Sequence, residues 1–241
     1  MMFRVFLISL CLLGPSTRAC DLALVLAVDV SGSVDQEEFS IQMNGLAAGL
    51  RDSIVSEALV RGQAELMLIQ WTGASRQQVT IPWMSIRDFS ALERFARLVE
   101  TDRRVWRNYS TAIGEALAFS KNQFEDVRHC MRRLIDISGD GVSNEGLQPR
   151  LLRDTLQDAG ITVNAIAIEE SEPELTVYFF EHVISGAGAF VETASDFRAY
   201  PETIRRKLRR EVSKFTAYLA PPGTSRVRFR DLNDAPGLTG P

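Results

Sequence analysis

The sequence is poor in the residues that mark several common classes of function. Its 27 lysines and arginines are outnumbered by 31 aspartates and glutamates, which gives a net charge of −4. Nucleic-acid-binding domains normally carry a basic surplus, so we expect no nucleic-acid partner. The only histidines, His129 and His182, lack cysteines or carboxylates at the spacing of a zinc site. Zinc is therefore not the expected metal.

Sequence motifs of two large enzyme classes are also missing. No serine–histidine pattern of a hydrolase nucleophile elbow is visible. The tripeptide Gly186-Ala187-Gly188 does not complete a dinucleotide-binding fingerprint, and we interpret it as a turn.

One strongly apolar segment stands at the beginning of the chain. Arg4 precedes a short apolar core, and Pro15 ends that core ahead of Ala19. The core is too short to span a bilayer, so residues 1–19 are predicted to be a signal peptide and the mature chain to lack a transmembrane segment. We expect an exported protein, periplasmic or secreted. A lipoprotein acylated at Cys20 is the less favoured alternative, because Thr17-Arg18-Ala19 is a poor lead-in to such a site.

Removal of the signal peptide takes Cys11 with it and leaves Cys20 and Cys130. Cys20 lies nine residues before Asp29 and Cys130 ten before Asp140, and these aspartates follow two strands predicted to be neighbours. Parallel strands in register bring both cysteines to one edge of the sheet, within reach of a disulfide. An oxidising compartment permits that bond, and two buried, unpaired thiols are the alternative.

Strand-like and helix-like segments alternate through the rest of the chain. Such alternation is typical of an α/β fold: a doubly wound, mostly parallel six-stranded sheet, here with one antiparallel edge strand. Residues 20–216 form the predicted domain, and the Pro- and Gly-rich residues 217–241 a flexible tail. The strands are predicted at 22–29, 64–71, 78–83, 131–138, 161–168 and 189–193, and the helices at 36–50, 89–99, 113–119, 151–159, 179–184 and 197–215.

The first strand leads into a cluster of oxygen-bearing side chains. An apolar run ends in Asp29, Ser31 and Ser33, which fall at the carboxyl end of the strand, where open α/β sheets place their ligand sites. One carboxylate and two hydroxyls there suit a hard divalent cation, Mg²⁺ or Mn²⁺.

Two further segments complete a recognisable pattern. Residues 108–117 place a threonine ahead of a predicted helix, and residues 137–141 end a predicted strand in Gly-Asp-Gly. Together with the first loop they resemble the metal-ion-dependent adhesion site of the von Willebrand factor A (vWA) domain. The resemblance assigns the metal to Asp29, Ser31, Ser33, Thr111 and Asp140.

Each of these assignments has a plainer alternative. Ser33 could merely cap the following helix. Ser110 could serve in place of Thr111, and either could be only a helix cap. Asp140, which lies between two glycines, could be an ordinary turn residue without a role in metal binding.

A closer resemblance lies outside the metal residues, to a bacterial exported subfamily of these domains whose function is unknown. This chain departs most evidently from the broader vWA pattern at Ser138-Gly139, ahead of Asp140, where many relatives have an apolar residue and threonine. The similar segments are 70–73, 79–83, 132–146, 153–168, 182–190 and 204–212.

The resemblance implies binding rather than catalysis. In that family the carboxylates act largely through bridging water, which leaves the cation open to a carboxylate from a protein partner. The expected function is therefore metal-dependent binding of a protein ligand, and not an enzyme activity. The alternatives are a Mg²⁺-dependent phosphoester hydrolase using Asp29, and a metal-free scaffold. No general base or phosphate clamp accompanies the carboxylates in the sequence, which disfavours the hydrolase.

Two charged features stay outside this pattern. Asp136 lies inside the fourth predicted strand, where a charge is costly, and we expect Arg132, Arg133 or backbone donors to be its partner. Residues 205–210 of the last predicted helix include five basic residues beside an apolar stripe, which is typical of a solvated helix docked on the sheet.

Overall fold

The computed structural model describes the backbone of residues 20–219 and the side chains of residues 20–213. The predicted signal peptide, residues 1–19, and residues 220–241 of the predicted tail lie outside the described residues. Across the described part of the chain, no helix combines the length and the apolar character needed to cross a membrane.

The core of the domain is one six-stranded sheet. Its strands are β1 Leu22–Asp29, β2 Glu65–Trp71, β3 Gln77–Ser85, β4 Arg132–Gly139, β5 Ile161–Ile168 and β6 Val191–Ala194. They lie in the order β3-β2-β1-β4-β5-β6. The β2–β3 pair is antiparallel and the other four pairs of neighbouring strands are parallel, as predicted.

Helices cover both faces of the sheet, which explains why β1 is buried along its whole length. The helices are α1 Gln36–Leu50, α2 Ser53–Arg61, α3 Phe89–Thr101, α4 Ile113–Gln123, α5 Arg153–Asp158, α6 Leu175–Tyr178 and α7 Tyr200–Leu219. Alternate β1 residues such as Leu24 and Leu26 pack with α1, α2, α3 and α7, whereas Val25 and Ala27 pack with α4, α5 and α6. The doubly wound α/β prediction is confirmed.

The helices differ from the predictions in several places. Helix α2 was not predicted, and its start is capped by Asp52 through the amides of Ile54 and Val55. The helix predicted at 179–184 is a π-helical turn, Phe179–Val183, that follows α6. The helix predicted at 151–159 is divided into a 3₁₀ turn, Pro149–Leu152, and α5. The last helix continues to Leu219, so it includes the first three residues of the segment predicted as tail.

Cys20 and Cys130 form a disulfide, as predicted, across 110 positions of sequence and with their Cα atoms 4.5 Å apart. The bond lies at the amino edge of the sheet, where the amide of Met131 also donates to the carbonyl of Cys20 at 2.9 Å. The amino ends of the adjacent strands β1 and β4 are therefore tied covalently, at the edge opposite to Asp29.

The prediction that Asp136 pairs with Arg132, Arg133 or backbone donors is wrong. Its Oδ1 lies 2.5 Å from Nζ of Lys207, which projects from α7 and is fully buried. Arg132 instead donates to the backbone carbonyl of Glu211. The basic stretch of α7 is therefore not all on the solvated face, because one of its cations enters the core.

Candidate metal centre

The two aspartates of the predicted site meet at the carboxyl edge of the sheet. Asp29 ends β1, and Asp140 follows β4, the strand that pairs with β1 in parallel register. Ser33 Oγ donates to Asp140 Oδ1 at 2.8 Å, and Ser33 Oγ lies 3.2 Å from Ser31 Oγ. The structure thus brings the first and third predicted loops into direct contact.

Ser33 is not a helix cap. The N-cap of α1 is Asp35, whose side chain accepts from the amide of Glu38 while the Glu38 carboxylate accepts from the amide of Asp35. Because Asp35 fills that role, the hydroxyl of Ser33 remains available and donates to Asp140.

The position of Thr111 distinguishes it from Ser110. Thr111 is buried, and its Oγ1 would lie 4.0 Å from a Cβ placed on Gly141, so it faces the Asp140 loop. Ser110 is exposed, and its Cβ lies toward Gly73. Neither caps α4, since the first amide of that helix, at Ile113, donates to Ser143 Oγ at 3.2 Å. Of the two residues, Thr111 is therefore the one that faces the loop of Asp140.

Backbone hydrogen bonds hold the three loops in one arrangement. The amide of Thr111 donates to Asn144 Oδ1 and the amide of Asn144 to the carbonyl of Thr111, both at 2.9 Å. The amide of Gly32 donates to the carbonyl of Tyr109 at 2.8 Å. A Cβ at Gly32 would lie only 3.2 Å from that carbonyl oxygen, so the absence of a side chain permits the close approach.

Burial makes the negative charge of the site costly. It raises the pKa of Asp29 well above its ordinary value, and the nearby carboxylate of Asp140 raises it further, against the opposing effect of the Ser31 amide at 2.7 Å. Burial likewise raises the pKa of Asp140, whose hydrogen bond from Ser33 acts in the opposite direction. Oδ2 of Asp29 is buried without a hydrogen-bond partner.

Arg104, which was not predicted to belong to the site, supports the first loop. Its Nη2 donates to the carbonyls of Val30 and Ser31 at 3.0 and 2.8 Å. The signal that could have found it is the clustering of three arginines in residues 103–107, just ahead of the second loop.

The donor set fits a hard divalent cation. Two carboxylates and three hydroxyls are the oxygen ligands that Mg²⁺ and Mn²⁺ prefer, and the unpartnered Oδ2 of Asp29 is the atom such an ion would satisfy. A second grouping of ligand-type residues, Cys20, His129 and Cys130, offers no comparable site because both sulfurs are used in the disulfide.

The fold is that of a vWA domain. A proximal thread matrix protein from the mussel byssus matches with 15% identity and a TM-score of 0.58 over 80% of this chain and 46% of its own. That structure is described with zinc in its metal-ion-dependent adhesion site (MIDAS) motif. A von Willebrand factor type A protein from Catenulispora acidiphila matches with 19% identity and a TM-score of 0.56 over 81% and 43%. The pilus adhesin SpaC from Lactobacillus rhamnosus GG matches with 12% identity and a TM-score of 0.59 over 81% and 31%.

The chain belongs to the protein family of unknown function DUF1194, which matches residues 19–216. This match confirms the predicted resemblance to a vWA-type subfamily whose function is unknown. The chain spans less than half the length of each of the three structural relatives described above.

Proposed function

We propose that this chain is an exported vWA-type domain that binds a protein ligand through Mg²⁺ or Mn²⁺ held by Asp29, Ser31, Ser33, Thr111 and Asp140. The observation that supports the proposal is the contact of Ser33 with Ser31 and with Asp140, close to Asp29, whose Oδ2 is buried without a partner. When bound, the cation supplies an electrophilic position for a carboxylate of the partner protein.

The five side chains would contribute two kinds of ligand to such an ion. The carboxylates of Asp29 and Asp140 balance its charge, while the hydroxyls of Ser31, Ser33 and Thr111 contribute neutral oxygens. The hydrogen bond from Ser33 to Asp140 keeps one carboxylate oriented, and the Ser31 amide does the same for Asp29. These two hydrogen bonds restrict the orientations that the carboxylates can adopt.

The solved relatives lend support of the same kind. The mussel protein is described with zinc in its MIDAS motif, and SpaC is described as a pilus adhesin. The hydrolase alternative gains no such support. The histidines of this chain lie elsewhere: His129 is next to the disulfide, and His182 belongs to the helical turn Phe179–Val183.

Titration calorimetry with Mg²⁺ and Mn²⁺ tests the proposal on the purified protein. We expect one binding event per chain that is abolished in Asp29→Ala and in Asp140→Ala. Glu37→Gln is the matched control, because Glu37 is an exposed carboxylate in the first turn of α1 and is outside the ligand set. Retained binding in both alanine variants, or none in the native protein, would contradict the proposal. Circular dichroism verifies that each variant is folded.

The hydrolase is tested by turnover of generic phosphoesters in the same preparations. Hydrolysis by the native protein that disappears in Asp29→Asn would establish an enzyme. Metal binding without turnover supports the binding domain.

A further inference from the structure

A cleft of about 340 Å³ opens beside the candidate metal centre. One wall is the start of α1, including Gln36, and the other is the segment that follows α3. Three arginines of that segment line it, namely Arg103, Arg104 and Arg107. We call these three residues and the space between them the arginine cleft.

The arginine cleft is continuous with the candidate metal loop. Arg104 holds the carbonyl of Ser31 at 2.8 Å, and Ser31 is one of the five candidate ligands. Arg107 donates to Gln36 Oε1 at 3.0 Å, three residues beyond Ser33. The guanidinium groups of Arg104 and Arg107 therefore lie next to the loop that carries Ser31 and Ser33.

The positive charge of the cleft is not neutralised by ion pairs. Among the described residues, none of the three arginines has a carboxylate oxygen within 4.0 Å, although twelve such pairs are formed by other basic residues. Arg104 and Arg107 instead bond neutral oxygens, and Nε of Arg104 is buried without a partner. Although the chain has a net charge of −4, three guanidinium groups without a carboxylate partner are therefore clustered in this cleft.

The two carboxylates that line the cleft are occupied elsewhere. Glu100 is paired with Arg51, which also binds Glu93. Asp102 accepts from Gln70 Nε2 at 2.9 Å and from its neighbouring amide. The three guanidinium groups of the cleft therefore outnumber Asp102, the carboxylate there that is held by neutral donors alone.

We infer that the protein ligand presents an acidic segment, in which one carboxylate meets the metal and further carboxylates enter the arginine cleft. This inference rests on the proposed function and adds a charge pattern to it. Arginine suits the role because its planar guanidinium binds carboxylates in a paired geometry. The metal alone selects a single carboxylate, whereas the cleft selects for acidic neighbours, which gives the site specificity and faster association.

Fluorescence anisotropy with two labelled peptides tests the inference in excess Mg²⁺. The first peptide, octaglutamate, consists of eight glutamates, and the second has one glutamate near the centre of seven glutamines. The native protein should bind octaglutamate about tenfold more tightly than the single-glutamate peptide. In Arg103→Gln/Arg107→Gln this preference should fall to about twofold or less, while Mg²⁺ affinity by calorimetry is unchanged.

Arg87→Gln/Arg94→Gln is the matched control. Both of these arginines are exposed, near the opposite end of α3, and the change in net charge is identical. The control should keep the native preference for octaglutamate. Equal loss in both double variants would show a general charge effect and overturn the inference.

The outcomes separate the inference from the proposed function. If Mg²⁺ binds but the native protein shows no preference for octaglutamate, or no binding at about 1 mM peptide, the inference is overturned and the metal centre stands. If the native protein binds no metal, the proposed function itself fails. Tighter binding of heparin than of octaglutamate, lost in the same cleft variant, would assign the cleft to a sulfated polysaccharide and also overturn the inference.

Discussion

Nζ of Lys207 lies 2.5 Å from Oδ1 of Asp136, inside the domain rather than on its surface. The same ammonium group lies 2.7 Å from Oε1 of Glu211, one helical turn further along α7. Asn164 of β5 donates to that oxygen at 2.9 Å. This cluster joins β4, β5 and the last helix, and it contains two carboxylates for one ammonium group.

Loss of Lys207 should destabilise the domain strongly. Lys207→Met leaves two buried carboxylates without their cation, and removal of one partner from a buried ion pair costs about 3–5 kcal/mol. Urea unfolding should show that decrease in the free energy of unfolding. The control is Arg205→Met on the same helix, whose surface pair with Glu202 should contribute about 0.5 kcal/mol or less. Similar losses in both variants would contradict a special role for Lys207.

The contribution of Asp136 to the stability of the domain should fall as the pH rises from acidic to neutral. Burial raises the pKa of Asp136 from 3.8 to about 7, with Lys207 opposing the rise and Glu211 adding to it. The folded state therefore holds this proton more tightly than the unfolded state. The resulting stabilisation is complete below the unfolded pKa and is lost as the pH rises through about 7.

Comparison with Asp136→Asn isolates this effect. Asn cannot titrate, so the native protein should lose more unfolding free energy than the variant between about pH 5 and about pH 8, by a few kcal/mol at most. Asp29 and Asp140 also have raised pKa values, but they contribute equally to both proteins. Parallel pH profiles would show that Asp136 does not titrate in this range.

The disulfide should contribute to stability without affecting the metal centre. Cys20→Ser/Cys130→Ser frees a loop of about 110 residues in the unfolded chain, which costs about 4–5 kcal/mol in the chain-entropy model. Metal affinity should stay unchanged, because the bond lies at the amino edge of the sheet and the site at the carboxyl edge. Urea unfolding measures the first effect and calorimetry the second. Loss of metal affinity in a folded double variant would contradict this separation.

Asp29→Asn should have opposite effects on the metal-free and metal-bound protein. Without metal, the variant removes a buried charge near Asp140 and should melt at a higher temperature than the native protein. With metal at about 100 times its Kd, the native protein should gain about 2.7 kcal/mol, and the variant should gain almost nothing. Thermal melts with and without Mg²⁺ measure both effects. An equal metal-induced gain in the two proteins would exclude Asp29 as a ligand.

Much of the architecture follows from local patterns in the sequence. The short apolar run of β1 predicts a strand buried on both faces, and alternation with helical segments predicts a parallel sheet. Those patterns also place Asp29 and Asp140 at one edge, and Cys20 and Cys130 at the other. The helix α2 was missed even though Asp52 and the apolar spacing of Val55 and Leu59 were visible. Its nine residues follow directly after a longer helix and leave little periodicity to detect.

The choice of polar partners required the tertiary structure. Sequence neighbours suggested Arg132 or Arg133 for Asp136, but α7 crosses the sheet so that Lys207 reaches it. Packing likewise distinguished Thr111 from Ser110, because only Thr111 faces the loop of Asp140.

The sequence by itself therefore determined the strand pattern and the pair of cysteines that could bridge, since these depend on periodicity and on the fixed direction of parallel strands, and its resemblance to the vWA domain supplied the candidate ligands. The tertiary structure alone decided which buried charges pair and that three arginines line a cleft beside Ser31. Such contacts depend on where distant segments pack, and an electrostatic partner leaves no periodic signal along the chain.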